Sequence, residues 1–137
     1  MKRAMLIALA ACLLLASSAE AKGMKWVEVC GPADCNRERD LDFEQYPLVF
    51  PPMLLSTLPN RAPEETAPWL SVQVNLGRPH GVVESIVAPR IGYAGGDQEG
   101  ERYGWVWQQL DRAERRTYLH LGKGLARFPA ATMPGLD

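Results

Sequence analysis

The stretch Trp69-Leu70-Ser71-Val72-Gln73-Val74-Asn75-Leu76 constrains the fold more than any other part of the chain. Counted by twos, Leu70, Val72, Val74 and Leu76 face one side, and Trp69, Ser71, Gln73 and Asn75 face the other, the pattern of a half-buried strand. Gly77-Arg78-Pro79-His80-Gly81 reads as a connecting loop and Val82 to Ala88 as a second strand, so the two predict an antiparallel hairpin. Met24 to Cys30 alternates well enough to be a strand as well. A third strand of the later group is expected around Arg90 to Ala94, and Gly95-Gly96-Asp97-Gln98-Glu99-Gly100 reads as a flexible polar turn. Arg102 to Gln108 is then a further strand, with Tyr103, Trp105 and Trp107 in a row on one of its faces.

The segments between these strands are less regular. Asn36 to Gln45 is highly charged, with Leu41 and Phe43 as its large apolar residues, and fits a polar strand, a short helix or a loop equally. In YPLVFPPMLLSTLPN, the prolines at 47, 51, 52 and 59 fix the backbone and interrupt any long element. Pro52 suits the first turn of a short helix through Leu58, and Asn60 to Pro68 reads as a polar loop. Near the end, Asp111 followed by Glu114 fits a capping box, and Lys123 and Arg127 lie late, as a helix dipole favours. A helix from Asp111 to about Leu121 is expected. Thr117 to Leu121 also alternates like a strand, and Gly122 and Gly124 oppose any continuation of the helix, at roughly 1 kcal/mol each. The fold class expected is α+β, a small antiparallel sheet of about four or five strands with one C-terminal helix.

The chain start bears on compartment. Lys2 and Arg3 precede an apolar run from Ala4 to Ala16, and Ala19-Glu20-Ala21 follows, the order of a secretory signal peptide. The run has thirteen residues, whereas about 20 are needed to span a bilayer. Cleavage after Ala21 is therefore expected, with residues 22–137 as a single exported domain and no transmembrane span after cleavage. Leu9-Ala10-Ala11-Cys12 resembles a lipoprotein processing box, but Leu13-Leu14-Leu15 continue the apolar run beyond it, which favours removal of Cys12 with the signal. The mature chain would carry thirteen basic and fifteen acidic residues. That balance lacks the basic excess of a nucleic-acid footprint, so no nucleic-acid partner is expected.

Export would place Cys30 and Cys35 in an oxidising compartment, where two mature cysteines pair without remainder. A Cys30–Cys35 disulfide is expected to act as a local clip at the end of the first strand. It would make Gly31-Pro32-Ala33-Asp34 a rigid exposed tip. The closed loop is short, and loop entropy yields about 2 kcal/mol at most.

Three resemblances touch this region. Cys30-Gly31-Pro32-Ala33-Asp34-Cys35 is similar to the thioredoxin Cys-Gly-Pro-Cys motif with two residues inserted, but that chemistry requires two residues between the cysteines and a helix N-terminus at the thiolate. The same loop resembles the Cys-Lys-Pro-His-Asp-Cys loop of inhibitors of vertebrate lysozyme, matching at Cys30, Pro32, Asp34 and Cys35. Ala33 stands where that family has its key histidine, so its contact with catalytic carboxylates is not implied. Val29-Cys30-Gly31 with Cys35, the strand after Pro68, the Pro89-containing strand end and Gly124-Leu125-Ala126-Arg127-Phe128-Pro129-Ala130 together resemble a group of small exported bacterial proteins of no established activity. That resemblance implies export and a shared scaffold, and supplies no catalytic residues.

Motif chemistry is sparse. His80 and His120 have no third ligand at metal spacing, so no metal site or cofactor is expected. Asp34, Asn36, Glu38, Asp40 and Asp42 resemble a calcium loop in their alternation, but Arg39 occupies the glycine position and Gln45 the bidentate glutamate position. No Gly-x-Ser-x-Gly elbow or phosphate loop is present. Glu84, Glu99, Glu101 and Glu114 could supply a carboxylate pair, though spacing singles out no two of them. The expectation is a non-catalytic binding or inhibitor-like module of the cell envelope or exterior, with a protein or glycan ligand. Its contacts would come from Pro32 and Asp34 at the disulfide tip and from Tyr103, Trp105 and Trp107, unless those aromatics are core. The alternative is a small secreted or envelope hydrolase using an Asp/Glu pair.

Overall fold

The computed structural model describes residues 24–49, 61–97 and 104–136. Six strands form one antiparallel sheet: β1 (Trp26–Cys30), β2 (Cys35–Glu38), β3 (Leu70–Asn75), β4 (Val82–Ala88), β5 (Tyr93–Asp97) and β6 (Trp105–Gln109). Their spatial order is β2-β1-β3-β4-β5-β6. Strands β3 to β6 run as a meander, and the β1–β2 hairpin joins it with β1 beside β3. Helix α1 (Arg112–Leu121) follows β6. The α+β class with an antiparallel sheet and a late helix is as expected, but the described residues form six strands rather than four or five. The additional strand is β2, in the charged segment where periodicity decided nothing. Its four residues pair with one neighbour only, and a short charged strand is tolerated at an edge because one row of its backbone groups stays in water.

Alternation in β1 and β3 explains the main core. Val27 pairs with Val74 and Val29 with Val72 across the β1–β3 ladder, and Leu70 pairs with Val87 across β3–β4. These side chains share one face and are essentially inaccessible to water, together with Leu41, Val49, Ala94, Leu110, Tyr118 and Leu121. Each fully buried Val or Leu contributes roughly 1.5–3 kcal/mol, so this face carries most of the hydrophobic drive. Helix α1 lies on it through Thr117, Tyr118 and Leu121. Within that interface the Tyr118 hydroxyl donates to the Val49 carbonyl at 2.6 Å, tying the segment after β2 to the helix.

The expected capping box is present. The Asp111 carboxylate accepts from the Glu114 N–H at 2.8 Å, and the Glu114 carboxylate accepts from the Asp111 N–H at 2.9 Å. This reciprocal pair decides the helix against the competing strand reading of Thr117 to Leu121, since it satisfies two amides that a helix start leaves orphaned. Burial pushes the Glu114 carboxyl above its ordinary value, opposed by the bond from Asp111. Asp111→Ala is expected to destabilise the protein by about 1 kcal/mol, as a lower urea midpoint at unchanged slope. The helix ends at Gly122, where a Cβ would stand 2.6 Å from Leu70 Cδ1.

One expectation is corrected on the far side of the sheet. The third strand of the later group was expected at Arg90 to Ala94 with a turn from Gly95, but β5 spans Tyr93–Asp97. Gly95 and Gly96 are in the strand because Gly95 pairs with Trp107 across β5–β6, and a Cβ there would lie 2.6 Å from Trp107 Cε3. Gly95 therefore gives room for the indole rings, and neither glycine makes a turn. The final strand likewise begins at Trp105 among the described residues. A second cluster forms on this face, where Ala67, Ile86, Ala88, Trp107 and Met133 are buried with Trp69, Trp105, Tyr93 and Leu136 packed around them. Trp107 Nε1 donates to the Gly135 carbonyl at 3.1 Å, so the chain's last segment covers this part of the sheet.

Candidate functional site

The sheet face away from α1 is divided. Beneath β5 and β6 it is covered by the last segment, but over β2, β1, β3 and the start of β4 it carries polar side chains. Register places one residue from each strand in a single row, because Arg37 pairs with Glu28, Glu28 with Gln73 and Gln73 with Glu84. At about 4.8 Å between neighbouring strands, the row extends over roughly 15 Å. Its members also bond to one another. Arg37 Nε donates to Glu28 Oε2 at 3.0 Å, and Gln73 Nε2 donates to Glu84 Oε1 at 3.0 Å. The Arg37 guanidinium sits 4.1 Å from the centroid of the Trp26 ring. The Arg37 and Glu28 side chains are 41% and 19% exposed, so this ion pair contributes at most about 1 kcal/mol to stability. Its effect is positional, since it fixes Arg37 and Glu28 beside the bonded Gln73–Glu84 pair, an array of one cation, two carboxylates and an amide.

The disulfide lies at the rim of this face. Cys30 and Cys35 are register partners at the end of the β1–β2 ladder, with Sγ atoms 2.05 Å apart. Their bond closes the hairpin over Gly31 to Asp34, where the Gly31 N–H donates to the Asp34 carbonyl at 2.9 Å. Pro32, Ala33 and Asp34 are exposed, so this is a presented tip with a local clip. Alkylation of the native protein without reductant should leave Cys30 and Cys35 unmodified in an intact-mass spectrum; substantial labelling of both would show that the clip does not form.

The base of the tip is not free. A Cβ on Gly31 would lie 1.8 Å from the Ala126 carbonyl oxygen. Where β1 ends, the segment after the helix takes its place, since Trp69 and Phe128 exchange backbone hydrogen bonds at 3.2 and 2.8 Å and stack their rings at 4.3 Å. The Asn36 side-chain amide of β2 donates to the Leu121 and Lys123 carbonyls at 2.9 and 3.1 Å. Cys30-Gly31 and the Gly124-to-Ala130 motif, far apart in the sequence, therefore form one contact.

The remaining sequence candidates separate. Trp107 is only 3% exposed, and Trp105 is partly buried with its ring 5.8 Å from that of Trp107. Tyr103, Glu99, Glu101, the helix expected from Pro52 and the signal segment lie outside the described residues. Glu84 is on the polar sheet face, whereas Glu114 is in the helix cap on the other side, so these two carboxylates cannot act on one substrate. His120 stacks on Tyr46 at 4.3 Å and its Nε2 lies 3.2 Å from Glu38. Asn36 and Glu38 of the calcium-like series are thus engaged with the helix end. Glu28, Cys30 and Cys35 gather their ligand atoms within 4.8 Å, but both sulfurs are bonded to each other and offer no thiolate. Among the described residues no helix is long and apolar enough to cross a membrane.

Sequence reasoning missed the row itself. Glu28 and Gln73 were legible as polar-side residues of alternating strands, but Arg37 carried no signal, and only strand order sets these three beside Glu84 in one row. Comparison of the chain with family models, with curated proteins and with solved structures finds no match.

Proposed function

We propose that the protein is an exported, non-catalytic binding or inhibitor-like module of the cell envelope or exterior, engaging a protein or glycan through the disulfide tip and the polar sheet face beside it. The observation that supports this most is the row Arg37-Glu28-Gln73-Glu84, two bonded pairs side by side on adjoining strands with Arg37 and Glu84 exposed at its ends. Side chains held in place before contact lose little entropy on binding. The clip and the contact between Gly31 and Ala126 stiffen the adjoining tip in the same way, and a disulfide suits an oxidising compartment. The shared motifs at Cys30-Gly31 and Gly124 to Ala130 support a common scaffold with the small exported proteins that the chain resembles.

The test is retention of envelope components by the immobilised protein, run in parallel with Gln73→Ala/Glu84→Ala and with Pro32→Gly/Asp34→Ala. A component lost with either pair at unchanged melting temperature supports the reading; components retained equally by all three proteins would overturn it. The hydrolase alternative is favoured by one observation, that Glu28 and Glu84 share a row two strands apart. That is about 10 Å between backbones, closer to the carboxyl spacing of inverting than of retaining glycosidases. It requires Glu28→Gln or Glu84→Gln to abolish glycan turnover while the fold is kept.

A further inference from the structure

The outer face of α1 carries a feature independent of the polar row and on the opposite side of the sheet. Thr117, Tyr118 and Leu121 are buried against the core. At 3.6 residues per turn, the line directly opposite them is Arg112, Arg116, Leu119 and, in the turn that follows, Lys123. All four are exposed. Arg115 flanks the line on one side and donates to the Arg90 carbonyl at 3.1 Å, and His120 flanks it on the other, facing Glu38. Residues 111–127 hold five Lys and Arg against two acidic residues, although the whole chain has a formal net charge of −1. Both of those acids are engaged in the capping box at the helix start. Among the described residues, Arg112, Arg116 and Lys123 have no carboxylate partner. Leu119, in the middle of the line, is 45% exposed, one of two large apolar side chains so exposed among the described residues.

We propose that this stripe docks the protein on a lipid surface bearing anionic headgroups, with the cations on the phosphates and Leu119 entering the interface. Charge complementarity selects an anionic partner, and an apolar side chain at the centre of the cationic line selects an amphiphile over a soluble polyanion, which would leave Leu119 unused. Guanidinium groups suit phosphate through paired N–H donors. Docked this way, the protein would hold its polar sheet face away from the bilayer, open to a ligand.

The test is co-sedimentation of the purified exported protein with vesicles of phosphatidylcholine alone and with vesicles that also contain phosphatidylglycerol, each at low and high salt. The expected result is retention by the anionic vesicles alone, lost at high salt as screening removes the attraction. Each basic residue near such a surface contributes about a fivefold factor, so Arg112→Glu/Arg116→Glu should weaken partitioning by at least about twentyfold. Leu119→Ser should weaken vesicle binding while leaving any binding to soluble polyphosphate unchanged. Helicity by circular dichroism identifies variants that keep the fold, and Lys123→Glu replaces the double variant if that one does not. Equal retention by both vesicle types, no retention by anionic vesicles at low salt, or no effect of the arginine or leucine substitutions would overturn the proposal.

Discussion

Gly31→Ala is expected to cost about 3 kcal/mol and to lower the melting temperature by about 10 °C or more. The added methyl would lie 1.8 Å from the Ala126 carbonyl oxygen, with Ala126 C at 3.0 Å. These are backbone atoms and cannot rotate aside, so either the disulfide-closed turn or the segment leading to Phe128 must shift. Moving that segment strains the backbone pair between Trp69 and Phe128 and the bonds from Asn36 to the helix end. Gly81→Ala is the control. A Cβ there meets nothing within 4 Å, and only the positive φ of 68° opposes it, so its cost should be about 1 kcal/mol. Thermal melts of both variants decide the matter, and equal shifts would mean that the contact between tip and C-terminal segment is not a rigid one.

Truncating Tyr118 should have a comparable or larger effect, with Tyr118→Ala losing about 3–5 kcal/mol through the cavity it leaves under the helix. Tyr118→Phe keeps the ring and removes the bond to Val49, leaving a buried carbonyl without its donor, for about 1–3 kcal/mol. The same residue carries a pH signature. Burial pushes the Tyr118 phenol well above its ordinary value of 10.0, so the native state disfavours the phenolate while the unfolded chain ionises freely. Its contribution is complete below about pH 10 and is lost as pH rises from there toward the native-state value. Wild-type stability should therefore fall in the alkaline range by a component absent in Tyr118→Phe. Urea midpoints for both proteins at successive pH values would show it, and parallel profiles would remove the assignment.

Local pattern reached some of this architecture and not the rest. The β3–β4 hairpin and the capped helix were readable because alternation and the Asp111/Glu114 pair are short-range signals, expressed within a few residues of the structure they produce. The displacement of β5 was not readable. Gly95 and Gly96 look like turn residues until Trp107 and Val106 are known to lie opposite them, and that depends on a cross-strand register. The burial of Trp107 was not readable for a similar reason, since its ring bonds to Gly135, 28 residues later in the chain.

The candidate site shows the division most clearly. Period-two alternation by itself determined that β1 and β3 each bury one face and leave Glu28 and Gln73 on the other, and the presence of two cysteines after the signal segment pointed to the clipped turn at the end of β1. Tertiary structure alone decided that β1 lies between β2 and β3, that β4 follows, and that Arg37, Glu28, Gln73 and Glu84 consequently stand in one row. Alternation is set by the pleat of a single strand, whereas neighbour relations are set by which strands minimise exposed apolar surface together. That second condition involves the whole chain at once, and no local stretch of sequence expresses it.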